Sequence, residues 1–485
     1  MSLSGSLSSA LSGLTAAARG AEVVASNIAN ARTAAYGRRE LTLAARTLGS
    51  TGGGVSVVGV SRVVDRALLN DRRIADAGVG QGNARADFLA RLETRLGLPG
   101  ADGALGSRIG VLEQALIGAA ARPESGPQLA AVLSAAQGLA VHLVQTSEAV
   151  QTDRAVADRG IAADVTLLND TLTRVADMNG AIRTAMAQGR DVSALMDQRQ
   201  QMVDQIAEVV PLREVDRGNG QIALMSTGGA ILLDGRPAEF EFTPAGVIVP
   251  QMSIGLGTLS GLTMNGRPMA TSGAGAMLAG GRLAGNFAVR DELAPAAQAQ
   301  LDAVARDLIG RFADPAIDPT LAVGVPGLFT DAGGAFVPGT ESGLATRLAI
   351  NAAVDPGQGG ATWRLRDGIG AAAPGDTGAS GILTALAGVL SAPRSPASGS
   401  FIPGQRSFAA LASDLVSGIS TARLSEEQET GFAASKAEAL RQMQLSDGVD
   451  TDQEMQMLLQ IERAYGANAK VIQTVDAMLD SLMRI

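Results

Sequence analysis

The stretch Leu458-Leu459-Gln460-Ile461-Glu462-Arg463-Ala464-Tyr465-Gly466-Ala467-Asn468-Ala469-Lys470-Val471-Ile472-Gln473-Thr474-Val475-Asp476-Ala477-Met478-Leu479-Asp480-Ser481-Leu482 decides the reading of this chain. Leu458, Tyr465, Ile472 and Leu479 recur every seven residues, and Ile461, Asn468, Val475 and Leu482 fill the alternate positions. A 3.5-residue repeat keeps one helix face turned toward a partner, so the pattern predicts a coiled-coil seam. The opposite end repeats the spacing: Leu7, Leu14, Ala21 and Ile28 lie seven apart, with Ala10, Ala17 and Val24 between them. Helices of about 30 residues would each run roughly 45 Å. Such a stripe also suits an ordinary core-facing helix. Two features point to assembly instead. The N-terminal seam is mostly small residues, which bury little apolar area. Asn468 stands at a seam position, where a polar side chain fixes register at some loss of stability. Seams at both ends predict a protein that docks into an assembly by its paired termini.

Composition bounds the rest. The 485 residues are enough for several domains with a sizeable core. Hydrophobic residues make up 46% but aromatics only 3%, so the interior must be Ala, Leu, Val and Ile. The formal net charge is −9 and the basic residues form no stripe, which argues against a nucleic-acid partner. Cysteine is absent, which excludes disulfides, thiolate catalysis and Cys-ligated metals. No run of about 18 purely apolar residues predicts a membrane span. The start, Met-Ser-Leu-Ser-Gly-Ser-Leu, lacks the basic and apolar regions of a secretory signal.

Along the chain the apolar period changes twice. It is helical from Ser4 to about Ala31, then loop and short strand from Thr33 to Val64, with Gly52-Gly53-Gly54 as a turn before Val55, Val57 and Val60. A helical pattern fills Asp65 to about Val210, with stripes at Phe88, Leu92 and Leu96, at Leu129, Val132 and Leu133, and at Val165, Leu168 and Leu172. Pro123 and Pro127 break it. Strands are expected at Val209–Val215, Gln221–Met225, Ile231–Leu233, Phe240–Thr243 and Val247–Val249. A helix is expected from about Asn286 to Phe312, weak strands at Leu344–Ile350 and Thr362–Arg366, and a helix again from about Gln405 to Leu445. After a turn at Ser446-Asp447-Gly448, Thr451 and Glu454 form a capping-box signature for the last helix.

The expected fold class is therefore α+β and multidomain: paired N- and C-terminal coiled-coil helices, a long-helix bundle body and an inserted β-rich domain. Residues 1–64 form the N-terminal axial helix and following loop, 65–208 the first part of the helical body, and 209–280 the first part of the β-rich domain. Residues 281–314 are a helix returning to the body, 315–400 a Gly/Pro-rich second part of the β domain, 401–446 the last part of the body, and 447–485 the C-terminal axial helix.

That order, with particular motifs, resembles a known family. Ala10-Leu11-Ser12-Gly13-Leu14, Ser26-Asn27-Ile28-Ala29-Asn30, Thr33, Tyr36 and Arg38 at one end, and Glu462 to Ile472 at the other, resemble the terminal motifs of bacterial flagellar rod, hook and hook-associated axial proteins. Asp197-Gln198-Arg199 with Val203, Gly228-Gly229, Leu232-Leu233-Asp234-Gly235 and Leu283-Ala284-Gly285-Asn286-Phe287 resemble the hook-associated members that join hook to filament. The chain departs from that pattern at Ala35, where the family has Gly before Tyr and a positive φ is less comfortable for Ala. The resemblance implies a structural subunit that self-associates into a ring in the flagellar axis. It implies hook protein on one side and the second junction protein, hook-associated protein 3, on the other. It also implies an extracellular place reached by type III export without a cleaved signal peptide, and an export chaperone on the C-terminal helix.

Several residues carry two readings. Asn27 and Asn30 suit a helix C-cap, or hydrogen bonds between subunits. Tyr36 suits a plug beside the helical body, or an inter-subunit contact. Catalytic readings are poor. One histidine, His142, on an Ala/Leu/Val helix offers neither a triad nor a zinc site. Gly78-Val79-Gly80-Gln81-Gly82 fails the dinucleotide spacing. Asp447, Asp450, Asp452 and Glu454 lack the EF-hand order and suit a helix N-terminus. No enzyme activity, metal or cofactor is expected. The alternatives to a junction subunit are another axial protein of hook or rod type, or a surface binding protein whose β domain holds a ligand.

Overall fold

The computed structural model describes residues 3–33, 35–48, 51–98, 100–273 and 275–483. The chain begins with helix α1 (Leu3–Asn30) and a hairpin, β1 (Arg38–Leu48) and β2 (Thr51–Val63). It continues through helices α2 (Arg66–Leu96), α3 (Leu105–Ala121), α4 (Gly126–Ala187) and α5 (Ser193–Val209). Asp65 caps α2, its carboxylate accepting from the backbone of Ala67 and Leu68, and Gly97 closes that helix at φ 78°. Pro127 in the first turn of α4 needs no N–H there, which is why the break it signals is a helix start.

A four-stranded antiparallel meander follows: β3 (Leu212–Gly218), β4 (Gln221–Ser226), β5 (Ile231–Asp234) and β6 (Arg236–Pro237). Beside it lies a three-stranded sheet of β7 (Phe240–Glu241), β8 (Leu262–Met264) and β9 (Arg267–Met269). Helices α6 (Gly281–Ala288) and α7 (Ala294–Phe312) are joined by a π-helical turn, Val289–Leu293. Then come β10 (Phe329–Asp331), α8 (Leu344–Arg347), β11 (Leu348–Ile350), α9 (Arg364–Asp367), α10 (Gly381–Ser391), α11 (Phe408–Ser446) and α12 (Thr451–Met483). The architecture is α+β, with long helices at both termini and a small sheet-containing insert.

Helix α4, at 62 residues, organises the body along about 93 Å. Its first half, from Leu129 to Val150, packs with α3, α7, α10 and the start of α11 in one apolar core. Its second half, from Ile161 to Val175, packs with α5, α6 and the β3–β6 meander in another. Between the two its inward face turns polar: Arg154 and Asp158 are buried. Arg290, on the π turn, is fully buried, pairs with Asp158 at 2.7 Å and stacks on Phe287. A buried charge is tolerated only when paired and hydrogen-bonded, and this layer meets both conditions. An 18-residue window of α4 is long and apolar enough to cross a membrane, yet this helix forms the spine of the two cores.

Several expectations need correction. Thr33–Val64 is not loop and short strand but a hairpin of 11- and 13-residue strands, and Gly52–Gly54 lie inside β2 rather than in a turn. Gly54 serves close approach: its φ is 96°, and an added Cβ would fall 3.0 Å from the Ser9 Cα of α1. Val209 ends α5, so the strand starts at Leu212, and Val247–Val249 form no strand. The Asn286–Phe312 helix begins earlier, at Gly281, because Arg282 and Asn286 anchor it to Asp164 of α4. In residues 315–400 the strands are three residues long, Leu344–Arg347 and Arg364–Asp367 are helical turns, and α10 is an additional helix. Leu383, Leu386 and Leu390 of α10 fill the first core, so tertiary burial overrides the Gly/Pro-rich composition around them.

Candidate functional site

The two terminal helices lie antiparallel. Gly13 faces Asn468 and Gly20 faces Ile461, so seven residues forward on α1 match seven back on α12. The contact is close because α1 offers no side chain there. A Cβ on Gly13 would meet Asn468 Nδ2 at 2.7 Å, and one on Gly20 would meet Ile461 Cδ1 at 3.1 Å. Asn468 donates to the Ala464 carbonyl of its own helix, so its amide is held flat against the glycine.

The seam residues separate into two groups. On α12 the row Glu454, Ile461, Asn468 and Val475 faces α1, with Glu454 and Val475 buried. Leu458 and Ile472 are half-buried, while Tyr465, Leu479 and Leu482 are exposed, together with Leu459, Val471 and Met478. On α1 the inward row is Ala10, Ala17, Gly20, Val24 and Asn27. Leu14, Ala21 and Ile28 are half-buried and Leu7 is exposed. The intrachain contact thus uses the small residues, and much of the larger apolar surface stays outside it.

The Ser26–Asn30 motif works locally. Asn27 is fully buried at the foot of the hairpin: its Nδ2 donates to the Arg39 carbonyl at 2.9 Å, and its Oδ1 accepts from the Arg39 N–H and the Tyr36 hydroxyl. Asn30 Nδ2 donates to the Ser26 carbonyl, satisfying a last-turn acceptor of α1. Ile28 is half-buried and Ala29 exposed. Tyr36 is half-buried against Ser26 and under the Arg39 guanidinium. Of these bonds the one from Asn30 is a helix cap, while Asn27 bonds the hairpin backbone and Tyr36 packs within the terminal module. Ala35 is left-handed at φ 62°, the conformation for which glycine is the comfortable residue.

Glu454 departs from the capping-box reading. Asp450 caps α12, accepting from the backbone of Asp452 and Gln453. Glu454 instead reaches the hairpin, where its Oε1 accepts from Arg38 Nε at 2.8 Å. That hydrogen bond holds the Arg38 guanidinium above its ordinary range. Glu454 Oε2 is buried without a hydrogen-bond partner. It lines an apolar groove of about 550 Å³ between α1, the hairpin and α12, floored by Gly13, Ala17 and Gly20 and walled by Leu43, Val55 and Ile461.

A second set of residues, not singled out for this role from sequence, fastens the terminal module to the body. Asp197, on the first turns of α5, accepts from Gly37 N at 3.0 Å and Arg62 Nε at 2.7 Å on one oxygen, and from Arg39 Nη2 at 3.2 Å on the other. Gln200, one turn on, accepts from Arg62 Nη2. Gly37 is needed here because a Cβ would meet Arg62 Nε at 2.4 Å. Burial lowers the neighbouring Arg199 to about 10, and it donates to the Asn179 side chain at 2.8 Å. The Asp197-Gln198-Arg199 motif was a visible signal, but it named no partner.

Among the described residues no group of three or more His, Asp or Glu gathers in a metal-binding arrangement. His142 is buried in the first half of α4, and burial, with Arg108 nearby, lowers its pKa. The groove described above is lined mainly by apolar side chains, with one buried carboxylate oxygen that has no hydrogen-bond partner.

Comparison with known proteins finds similarity to flagellar proteins. Residues 89–314 match the flagellar hook-associated protein FlgK helical domain, and residues 443–485 match the flagellar basal body rod FlgEFG protein C-terminal family. Flagellar hook-associated protein 1 of Escherichia coli K12 is 24% identical over 244 residues, 49% of this chain and 44% of that protein. Its counterpart in Salmonella typhimurium is 27% identical over 246 residues, with the same shares. The chain therefore spans under half the length of these curated relatives. The solved flagellar hook junction protein FlgK of Burkholderia pseudomallei is similar at 22% identity and a TM-score of 0.43, over 54% of this chain and 46% of that one. The helical body is thus similar to the helical domain of flagellar hook-associated protein FlgK, and the C-terminal helix to the C-terminal family of flagellar rod proteins.

Proposed function

We propose that this protein is the structural subunit joining hook to filament, and that it works through its paired terminal helices. The observation that carries the reading is the apolar surface that α12 leaves uncovered. Its inward row packs on the glycines and alanines of α1, while Tyr465, Val471, Leu479 and Leu482 remain exposed among the described residues. Exposed apolar side chains grouped along a helix mark an interaction surface. Copies repeated around an axis bury such faces against one another, and head-to-tail contacts that close give a ring. The groove beside Glu454 offers a neighbour apolar walls.

In this reading the subunits form a ring in the flagellar axis, with hook protein on one side and hook-associated protein 3 on the other. The work is mechanical, and no residue acts as a catalyst. The subunit reaches its extracellular place by type III export, with a chaperone covering the apolar face of α12 beforehand. The seam residues of α1 and α12, from Leu7 to Ile28 and from Leu458 to Leu482, are the assembly surface, and the body and sheets lie outside them.

Electron microscopy of cells lacking this protein tests the reading. Hooks without filaments, and filament protein shed into the medium, are expected. Normal filaments on those cells would sink it.

A further inference from the structure

We propose that Asp197 is the positioning residue that sets the direction in which the terminal helices leave the body. The proposal rests on the assembly reading and adds the part that aims the assembling surface. Hydrogen bonds from the hairpin and the residue before it cross to the body at Asp197 and Gln200, within one turn of α5. Neither apolar core includes a residue of α1, the hairpin or α12. The junction is therefore a polar pivot and not a packed interface.

A pivot made by one donor would leave rotation free. Asp197 receives three donors from three residues: the backbone of Gly37, before β1, and the guanidinium groups of Arg39 on β1 and Arg62 on β2. They approach both carboxylate oxygens, so the hairpin is fixed in direction as well as in position. Charge-assisted bonds of this kind are shorter and stronger than neutral ones. The Asn27 amide then carries that direction to α1, by pairing with the backbone of Arg39. The Glu454–Arg38 ion pair carries it to α12.

The lever arm makes the angle matter. Helix α12 has 33 residues, so it extends about 50 Å. A rotation of about 10° at the pivot moves the far end by roughly 9 Å, as much as the 8–10 Å spacing of packed helices. An error of that size would put the apolar face of one copy against the wrong residues of the next. The body and the helix pair each keep their own interior, so loss of Asp197 leaves both folded and removes only the aim.

The absence of cysteine allows a direct test on the full chain. Cysteines at the exposed positions Asp71, on the body, and Gln460, on α12, accept spin labels, and pulsed electron paramagnetic resonance gives the distance distribution. The native protein should give a narrow distribution. Asp197→Ala should at least double its width, with helix content and melting of the body unchanged. Asp197→Asn keeps an acceptor for Gly37 but gives up the charge, so its width should fall between. An unchanged width in Asp197→Ala overturns the proposal. So does broadening accompanied by loss of helix, because that would be unfolding and not loss of aim. The measurement uses purified protein and does not depend on assembly, so normal filaments on cells lacking the protein would count against the junction reading alone.

Discussion

The body and the terminal module are built from different interiors. The body buries Phe88, Phe312, Phe329 and Phe408 and a long run of leucines, divided between two cores along α4. The module buries Ala10, Ala16, Ala17, Gly20, Val23 and Val24, with one fully buried asparagine between helix and hairpin. At about 25 cal/mol per Å², large side chains stabilise a fold far more than alanine and glycine do. The body is therefore self-sufficient. The module is held by close backbone approach and a few polar bonds, and its larger apolar side chains point outward. In the proposed assembly a region that keeps its apolar surface for partners must be accurately aimed, and the Asn27, Glu454 and Asp197 contacts fit that need.

The sharpest way to break this comparison is Ile472→Asp. Ile472 lies half-buried on the outer part of the α12 seam. In the free chain its carboxylate can reach water, so melting of the body should not change. In the assembled axis the charge would be desolvated without a partner, at a cost of several kcal/mol per subunit. Filament growth should be abolished. Swimming cells that export the variant normally would refute the division of labour, and secretion must be scored beside motility because a chaperone on the same helix could block export.

Phe312→Ala tests the other side. Phe312 is fully buried and meets Phe329 edge to face, with ring centroids 5.1 Å apart. Its loss should cost about 3–5 kcal/mol. Thermal or denaturant unfolding of the body should shift accordingly, while amide exchange at the foot of the hairpin in native buffer should not. A parallel loss of protection at Arg39 would show that body and module unfold as one unit.

The smallest effect is expected at Ala35. Its left-handed conformation costs an L-residue roughly 1–2 kcal/mol, partly offset by the greater freedom of glycine in the unfolded chain. Ala35→Gly should stabilise the hairpin base by about 0.5 kcal/mol, a slowing of Gly37 amide exchange by roughly twofold. Faster exchange would mean that the Ala35 methyl makes a contact worth more than the strain.

Much of this chain could be read from local pattern. The heptads at both ends, the break at Pro123 and Pro127, the helical stripes through Leu92, Leu133 and Leu168, and the family resemblance are all carried by residues close in sequence. Periodicity and caps act over one or two turns, so sequence alone determines them. It also showed the absence of cysteine and the poverty of catalytic side chains.

Tertiary structure decided what those segments touch. The inward row of α1 runs through Gly13 and Gly20 rather than Leu7 and Leu14, because helix approach favours the residues that keep the backbones closest, and hydrophobicity does not report that. Glu454 looks like half of a capping box until Arg38, 416 residues away, claims it. Asp197 meets Gly37 and Arg62 across 160 and 135 residues. The division of α4 into two cores depends on Arg290 arriving opposite Asp158, 132 residues apart in the chain. Local pattern therefore settled most of the long helices. Phase, direction and the buried ion pairs came from contacts between distant segments, whose energies depend on distance and burial that no local pattern encodes.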